Sequence, residues 1–175
     1  MKVMLAGQFV PEKIQGQLPV YGQPKLDGIR VYGEDGQAWT RSQKLVRSEW
    51  VQRIFAEAGP IMNGLDGEII AGDPTAKDAY RRTNSSVMSY AKPDDVTLHV
   101  FDHWGHEGNF EERLSYLQSL SLPDFCKSFR PSCSTRWRRS PSMRLSFSPK
   151  GMKELSSVVL GDTTRKAEGH PLAES

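Results

Sequence analysis

Lys25 is the residue in this chain best placed to act as a nucleophile. It stands in the run Tyr21 to Arg30, Y-G-Q-P-K-L-D-G-I-R, between an extended stretch and a tight turn. Val20 to Pro24 reads as a short strand, because Val20 and Tyr21 favour extended backbone and Pro24 pushes the residue before it the same way. Period two then sets Tyr21, Gln23 and Lys25 on one face. Asp27-Gly28 is a turn dipeptide, and Ile29 to Tyr32 is a second β-rich run, so Lys25 falls at a strand end where a side chain projects into a cleft. An amine attacks in its neutral form, whereas free lysine titrates near ~10.4; nearby positive charge and partial burial favour the neutral form. Arg30 and Arg41 are the cations suited to that task, and their guanidinium forks match anionic oxygens. The plainer reading is a solvated hairpin lysine, with Asp27 closing the turn.

The elements around these residues are legible from local signals. Ile29 to Tyr32 and Gln37 to Arg41 flank Glu34-Asp35-Gly36 as a hairpin whose far end delivers Arg41. Ser48 is an N-cap for a helix with Val51, Ile54, Phe55 and Ala58 on one apolar face, stopping at Gly59-Pro60. Glu68 to Ala71 reads as a short strand, and Val96 to Asp102 as another, alternating with period two through Val100. Gly72 to Asp95 is long and polar and reads as a surface loop; its Thr83 to Met88 segment is a candidate for touching phosphate. Asn109 and Glu112 form a capping box for a helix whose Phe110, Leu114, Leu117 and Ser121 share a face.

Four motifs then occur in order. Lys25-Leu26-Asp27-Gly28-Ile29-Arg30 resembles the adenylation motif of ATP-dependent DNA ligases, in the superfamily that also holds RNA ligases and mRNA-capping enzymes. Thr40 to Lys44 is similar to that family's next motif, Leu65-Asp66-Gly67-Glu68 to its D-G-E motif, and Val100-Phe101-Asp102 to the strand whose aromatic stacks on adenine. Met4-Leu5-Ala6 with Phe9, Pro11, Glu12 and Lys13 is similar to the opening of small phage-encoded ligases. The resemblance covers residues 1 to about 122. It implies an α/β fold, an antiparallel-rich, ATP-grasp-like nucleotidyltransferase adenylation core without the OB-fold that closes on DNA. It further implies Lys25 as the catalytic lysine and a nucleotide site of Gln23, Lys25, Leu26, Arg30, Arg41, Glu68 and Phe101. ATP and Mg²⁺ are the implied cofactors, with Glu68 accepting from a ribose hydroxyl or helping to hold the ion. The implied activity is nick sealing on duplex DNA through a lysyl-AMP, by a monomer. An RNA ligase or capping-type enzyme and a non-catalytic nucleotide- or DNA-binding remnant are the other readings; as a packing residue, Phe101 would belong to the core.

Composition sets the remaining bounds. A chain of 175 residues, 37% hydrophobic and 25% charged, can build one domain with a real core. No apolar run approaches the ~20 residues that span a bilayer, and no secretory signal is evident, so a cytoplasmic location is the expectation. Cys126 and Cys133 make neither a disulfide framework nor a zinc site.

The net charge of +2 hides an asymmetry: residues 1–124 carry 13 Lys+Arg against 17 Asp+Glu, and residues 125–175 carry 10 against 4. The tail 123–175 is rich in Ser and Arg, includes Arg136-Trp137-Arg138-Arg139, and shows no periodicity beyond Pro123. A basic arm for nucleic acid and plain disorder are two readings of it. A shifted reading frame is a third. There, Met152-Lys153 forces a glutamate, and Lys150 to Thr163 permits G-Y-E-G-V-V-L-R-G-L-G-R-Y, the family's next nucleotide motif. The same frame over residues 134–149 permits a helix. The expectation is that the chain from near Asp124 onward is frameshifted and that the ligase domain is partial.

Overall fold

The structure is a computed structural model that describes residues 20–22, 25–89, 95–128, 132–134 and 158–159. Gln23, the N-terminal Met4 to Lys13 stretch and the arginines of the tail lie outside the described residues. The fold is mixed α/β. Strands β2 (Ile29–Glu34), β3 (Gln37–Thr40), β4 (Leu65–Ala71), β5 (Val96–His103) and β6 (Cys126–Ser128) form a five-stranded sheet in the order β3-β2-β4-β5-β6. Every pairing is antiparallel except β5 with β6. A separate three-stranded sheet is built on β1 (Val20–Gly22), which pairs antiparallel with β7 (Ser132–Ser134) and β8 (Val158–Val159).

The β2–β3 hairpin closes on Asp35 and Gly36, with φ of 53° and 69°. Two successive left-handed residues match the twist of the flanking strands, which is why an Asp-Gly pair suits the turn. Helix α1 (Glu49–Ala58) starts where Ser48 Oγ accepts from the Val51 N–H and stops at Gly59, with φ 73°. Val51 and Phe55 are buried, and Ile54 and Ala58 pack against the same cluster. Helix α3 (Phe110–Ser119) carries the full Asn109/Glu112 capping box and buries Phe110, Leu114 and Leu117. Ser121 falls beyond its end and is exposed.

Three elements differ from the sequence reading. Strand β4 begins at Leu65, three residues early, because Asp66-Gly67 is paired on both sides instead of turning. A Cβ on Gly67 would meet the His99 carbonyl oxygen at 2.6 Å, so the strands approach too closely there for any side chain. The polar stretch after β4 contains helix α2 (Ala79–Val87), whose buried positions are Ala79, Thr83 and Val87. Thr83 is tolerated inside because its Oγ1 accepts the Ala71 N–H at 2.9 Å. Finally, β6 extends the sheet past Pro123, with Cys126 buried and Phe125 packed on the core. Among the described residues, no helix is long and apolar enough to cross a membrane.

The core lies against one face of the sheet, where Val31, Ile69, Leu98 and Val100 join Val51, Phe55 and Leu117 from the helices. Alternation along β2 and β4 therefore leaves Arg30, Tyr32, Asp66, Glu68 and Ile70 on the opposite face.

Candidate functional site

Residues 25–28 run into β2 and fold back over that opposite face of β4. A Cβ on Gly28 would lie 2.2 Å from the Ile69 carbonyl oxygen, 2.4 Å from Ile70 Cδ1 and 3.0 Å from Glu68 Cγ. Glycine is required here for close approach, since the backbone at Gly28 is not left-handed. The approach lets the Gly28 N–H donate to Glu68 Oε1 at 3.2 Å. Lys25 precedes this anchor by three residues. Its side chain is exposed, and its charge bears on Glu68.

Arg30 follows two residues after the anchor and faces Glu68 across the β2–β4 register. It does not pair with Glu68. Its Nε donates to Asp66 Oδ1 at 3.0 Å and its Nη2 to Oδ2 at 2.6 Å, a bidentate pair with side chains 20% and 4% exposed. Burial opposes the charge on both partners; the pairing more than offsets it for Arg30, whose pKa is raised, and only in part for Asp66, whose carboxyl burial keeps above the usual carboxylate range. The same guanidinium lies over the Phe101 ring, 5.2 Å from its centroid. Phe101 is half-buried and stands at a register slip: Gly67 faces Val100 and Asp66 faces Asp102, so Phe101 is the extra residue on β5. It thus lies beside Arg30 and outside the main hydrophobic cluster.

Glu68 is strongly altered by its surroundings. Burial pushes its carboxyl from 4.5 up to about 7; the Gly28 N–H, Arg30 and Lys25 oppose the rise, and Asp66 adds to it. Across from it on β5, His99 is buried, and burial together with Lys127 lowers its proton affinity.

Of the residues singled out in the sequence, Lys25, Arg30, Glu68 and Phe101 are brought together by β2, β4, β5 and the Gly28 anchor. Leu26 lies in the same turn and is half-buried. Arg41 is exposed just past β3 and takes no part in the hydrogen bonds that tie Gly28, Arg30, Asp66 and Glu68. Asp66 was missed as a site residue, although period two on β4 puts it on the face of Glu68. As a place for Mg²⁺ the described residues fit poorly. Glu68 is pushed towards the neutral acid, Asp66 is engaged by Arg30, and no group of three His, Cys, Asp or Glu suited to a metal occurs among them.

No protein-family model matches the sequence, and no curated protein does. Solved structures do match the fold. A crystal structure of Chlorella virus DNA ligase-adenylate superposes with a TM-score of 0.63 at 23% identity, over 78% of this chain and 52% of that one. Another crystal structure of the same ligase-adenylate gives a TM-score of 0.55 at 23% identity, over 77% and 50%. A Lig E DNA ligase, described as binding DNA with a minimal scaffold, gives 0.56 at 23% identity, over 78% and 52%. The chain spans about half the length of these ligases and shares their fold over that part.

Proposed function

We propose that this chain is part of an ATP-dependent DNA ligase adenylation domain and that Lys25 is its AMP acceptor. In that reaction the Lys25 amine attacks the α-phosphorus of ATP, a P–N bond forms, the bond to pyrophosphate breaks, and the amine proton leaves to solvent. The AMP then passes to the 5′-phosphate of a nick in duplex DNA, and the 3′-hydroxyl displaces it. One observation carries the reading: the lysine turn is fastened to β4 through the Gly28 N–H and Glu68, with Arg30 and Phe101 on the same face. That arrangement offers a nucleophile, a hydroxyl-binding carboxylate, a fixed cation and an aromatic ring within one small area. Glu68, with its pKa at about 7, is suited to a ribose hydroxyl, since near neutrality it can accept or donate a hydrogen bond. The exposed amine of Lys25 is accessible to a phosphate, and Arg30 is held by Asp66 instead of searching for a partner. Mg²⁺ would neutralise the triphosphate and arrive with it. The ligase likeness of the fold adds support.

Incubation with α-labelled ATP and Mg²⁺, followed by a denaturing gel, tests the assignment. A chain continued in the alternative frame from near Asp124 is expected to retain label, and Lys25→Ala in that chain is expected to lose it with an unchanged thermal midpoint. The 175-residue chain is expected to label on the order of 10²-fold more slowly or worse, because the family's later nucleotide motif is missing from its frame. Label persisting on Lys25→Ala, or a continued chain that never labels, refutes the proposal.

A further inference from the structure

Arg113 lies on α3, away from the lysine turn, yet it is bound to the strand that carries Phe101. Its Nε donates to Asp102 Oδ1 at 2.8 Å and its Nη2 to Oδ2 at 3.1 Å, while Nη1 donates to the Gly108 carbonyl at 3.0 Å. The two side chains are only 17% and 14% exposed. Asp102 is held from a third direction by the His103 N–H, which donates to Oδ1 at 2.8 Å. The capping box that starts α3 fixes the turn from which Arg113 reaches, and the Arg113 N–H donates to the Asn109 carbonyl at 3.1 Å.

The register explains why this matters for the site. Asp102 faces Asp66 directly, at the slip where Phe101 is the extra residue. Two carboxylates opposed across strands repel each other unless each is neutralised. Each has its own bidentate arginine, Arg30 on Asp66 and Arg113 on Asp102. The row Arg30, Asp66, Asp102, Arg113 therefore runs plus, minus, minus, plus.

We infer that Arg113 is a positioning residue of the site: by neutralising and fixing Asp102 at the register slip, it allows Asp66 to hold Arg30 over the Phe101 ring. Arg113 touches no reacting group. Its value to nucleotide chemistry rests on the ligase reading above, whereas its hold on Arg30 does not. A purely structural role, tying α3 to the sheet, would instead lower stability on its removal and leave Arg30 where it is.

The Nε–H resonance of Arg30 in the ¹⁵N-labelled 175-residue chain separates the two. In the unaltered chain this proton is donated to Asp66 and is expected to exchange slowly with water. Arg113→Gln keeps hydrogen-bond donors near Asp102 but removes the charge. It is expected to speed Arg30 Nε–H exchange about tenfold to a hundredfold, the range for weakening one charge-assisted hydrogen bond. Arg113→Gln with Asp102→Asn removes the stranded carboxylate and is expected to return Arg30 to its original exchange rate. An unchanged Arg30 signal in folded Arg113→Gln overturns the inference, as does a double variant no better than the single. Should Arg113→Gln fail to fold, a folded double variant with the original Arg30 signal supports the inference, and a double variant that is unfolded or displaced at Arg30 overturns it. Lys25 labelling is a separate readout: absence of AMP with the expected Arg30 response sinks the ligase reading and leaves the positioning role standing.

Discussion

Glu68 ties the site to pH in a way that one substitution can isolate. Its carboxyl is raised from 4.5 to about 7, chiefly by burial. A group whose folded pKa lies above its unfolded value binds its proton more tightly in the folded chain. The stability from that proton is complete below about 4.5 and is lost as pH rises through about 7. At ~1.4 kcal/mol for each tenfold in proton affinity, the span amounts to roughly 3 kcal/mol. Glu68→Gln is neutral at every pH, and its amide oxygen still accepts the Gly28 N–H. Relative to the unaltered chain, the variant is expected to show little difference near pH 4.5 and a gain approaching roughly 3 kcal/mol by pH 8. Urea unfolding followed by the fluorescence of Trp39, Trp50 and Trp104 reads this directly; with a slope of ~1–3 kcal/mol per molar, the midpoint should move by about 1 M or more at high pH. Only the difference between the two chains counts, because carboxylates remote from Glu68 titrate equally in both. Parallel profiles from pH 4.5 to 8 would mean that Glu68 is as well solvated as in water, and the burial argument for it would fail.

Other substitutions test the remaining contacts. Arg30→Ala strands the Asp66 carboxylate, 4% exposed, and is expected to cost about 3–5 kcal/mol at pH 7, whereas Asp66→Ala leaves an arginine 20% exposed that can turn to water and should cost about 1–3 kcal/mol. Equal losses in urea unfolding would contradict that asymmetry. Gly28→Ala drives a methyl into the Ile69 carbonyl and Ile70 and is expected to lower stability by about 1–3 kcal/mol; an unchanged unfolding midpoint would show that the turn does not sit so close to β4. In a chain continued in the alternative frame, Phe101→Ala should raise the ATP concentration needed for labelling while Phe101→Trp preserves it, and equal loss of stability in both would make Phe101 a packing residue.

What could be read from the sequence was what neighbouring residues decide among themselves. Asp35-Gly36 closes its hairpin, Ser48 caps α1, and Asn109 with Glu112 starts α3, each through contacts within a few residues. Helix α2 escaped notice because its buried face is Ala79, Thr83 and Val87, and Thr83 becomes an inside residue only through the Ala71 N–H, twelve positions away. Strand β6 is three residues long, too short for a period, and is specified by parallel pairing with β5. Asp102 and Arg113 pair across eleven positions, next to a register slip that nothing local announces.

The two carboxylates of β4 show where sequence reasoning ends. Asp66 and Glu68 are two residues apart on one strand, so alternation puts both on the same face, with nothing in their order to give them different roles. Their partners do so. Asp66 meets both arms of the Arg30 guanidinium, and that pairing opposes the upward push that burial gives its carboxyl. Glu68, opposite the backbone of that same Arg30, accepts the N–H of Gly28 and is pushed to about 7. The asymmetry follows from the side on which Arg30 turns, towards Asp66 and over the Phe101 ring of β5. A carboxylate paired with a cation and a carboxyl pushed to about 7 thus arise from one strand through contacts made with two others.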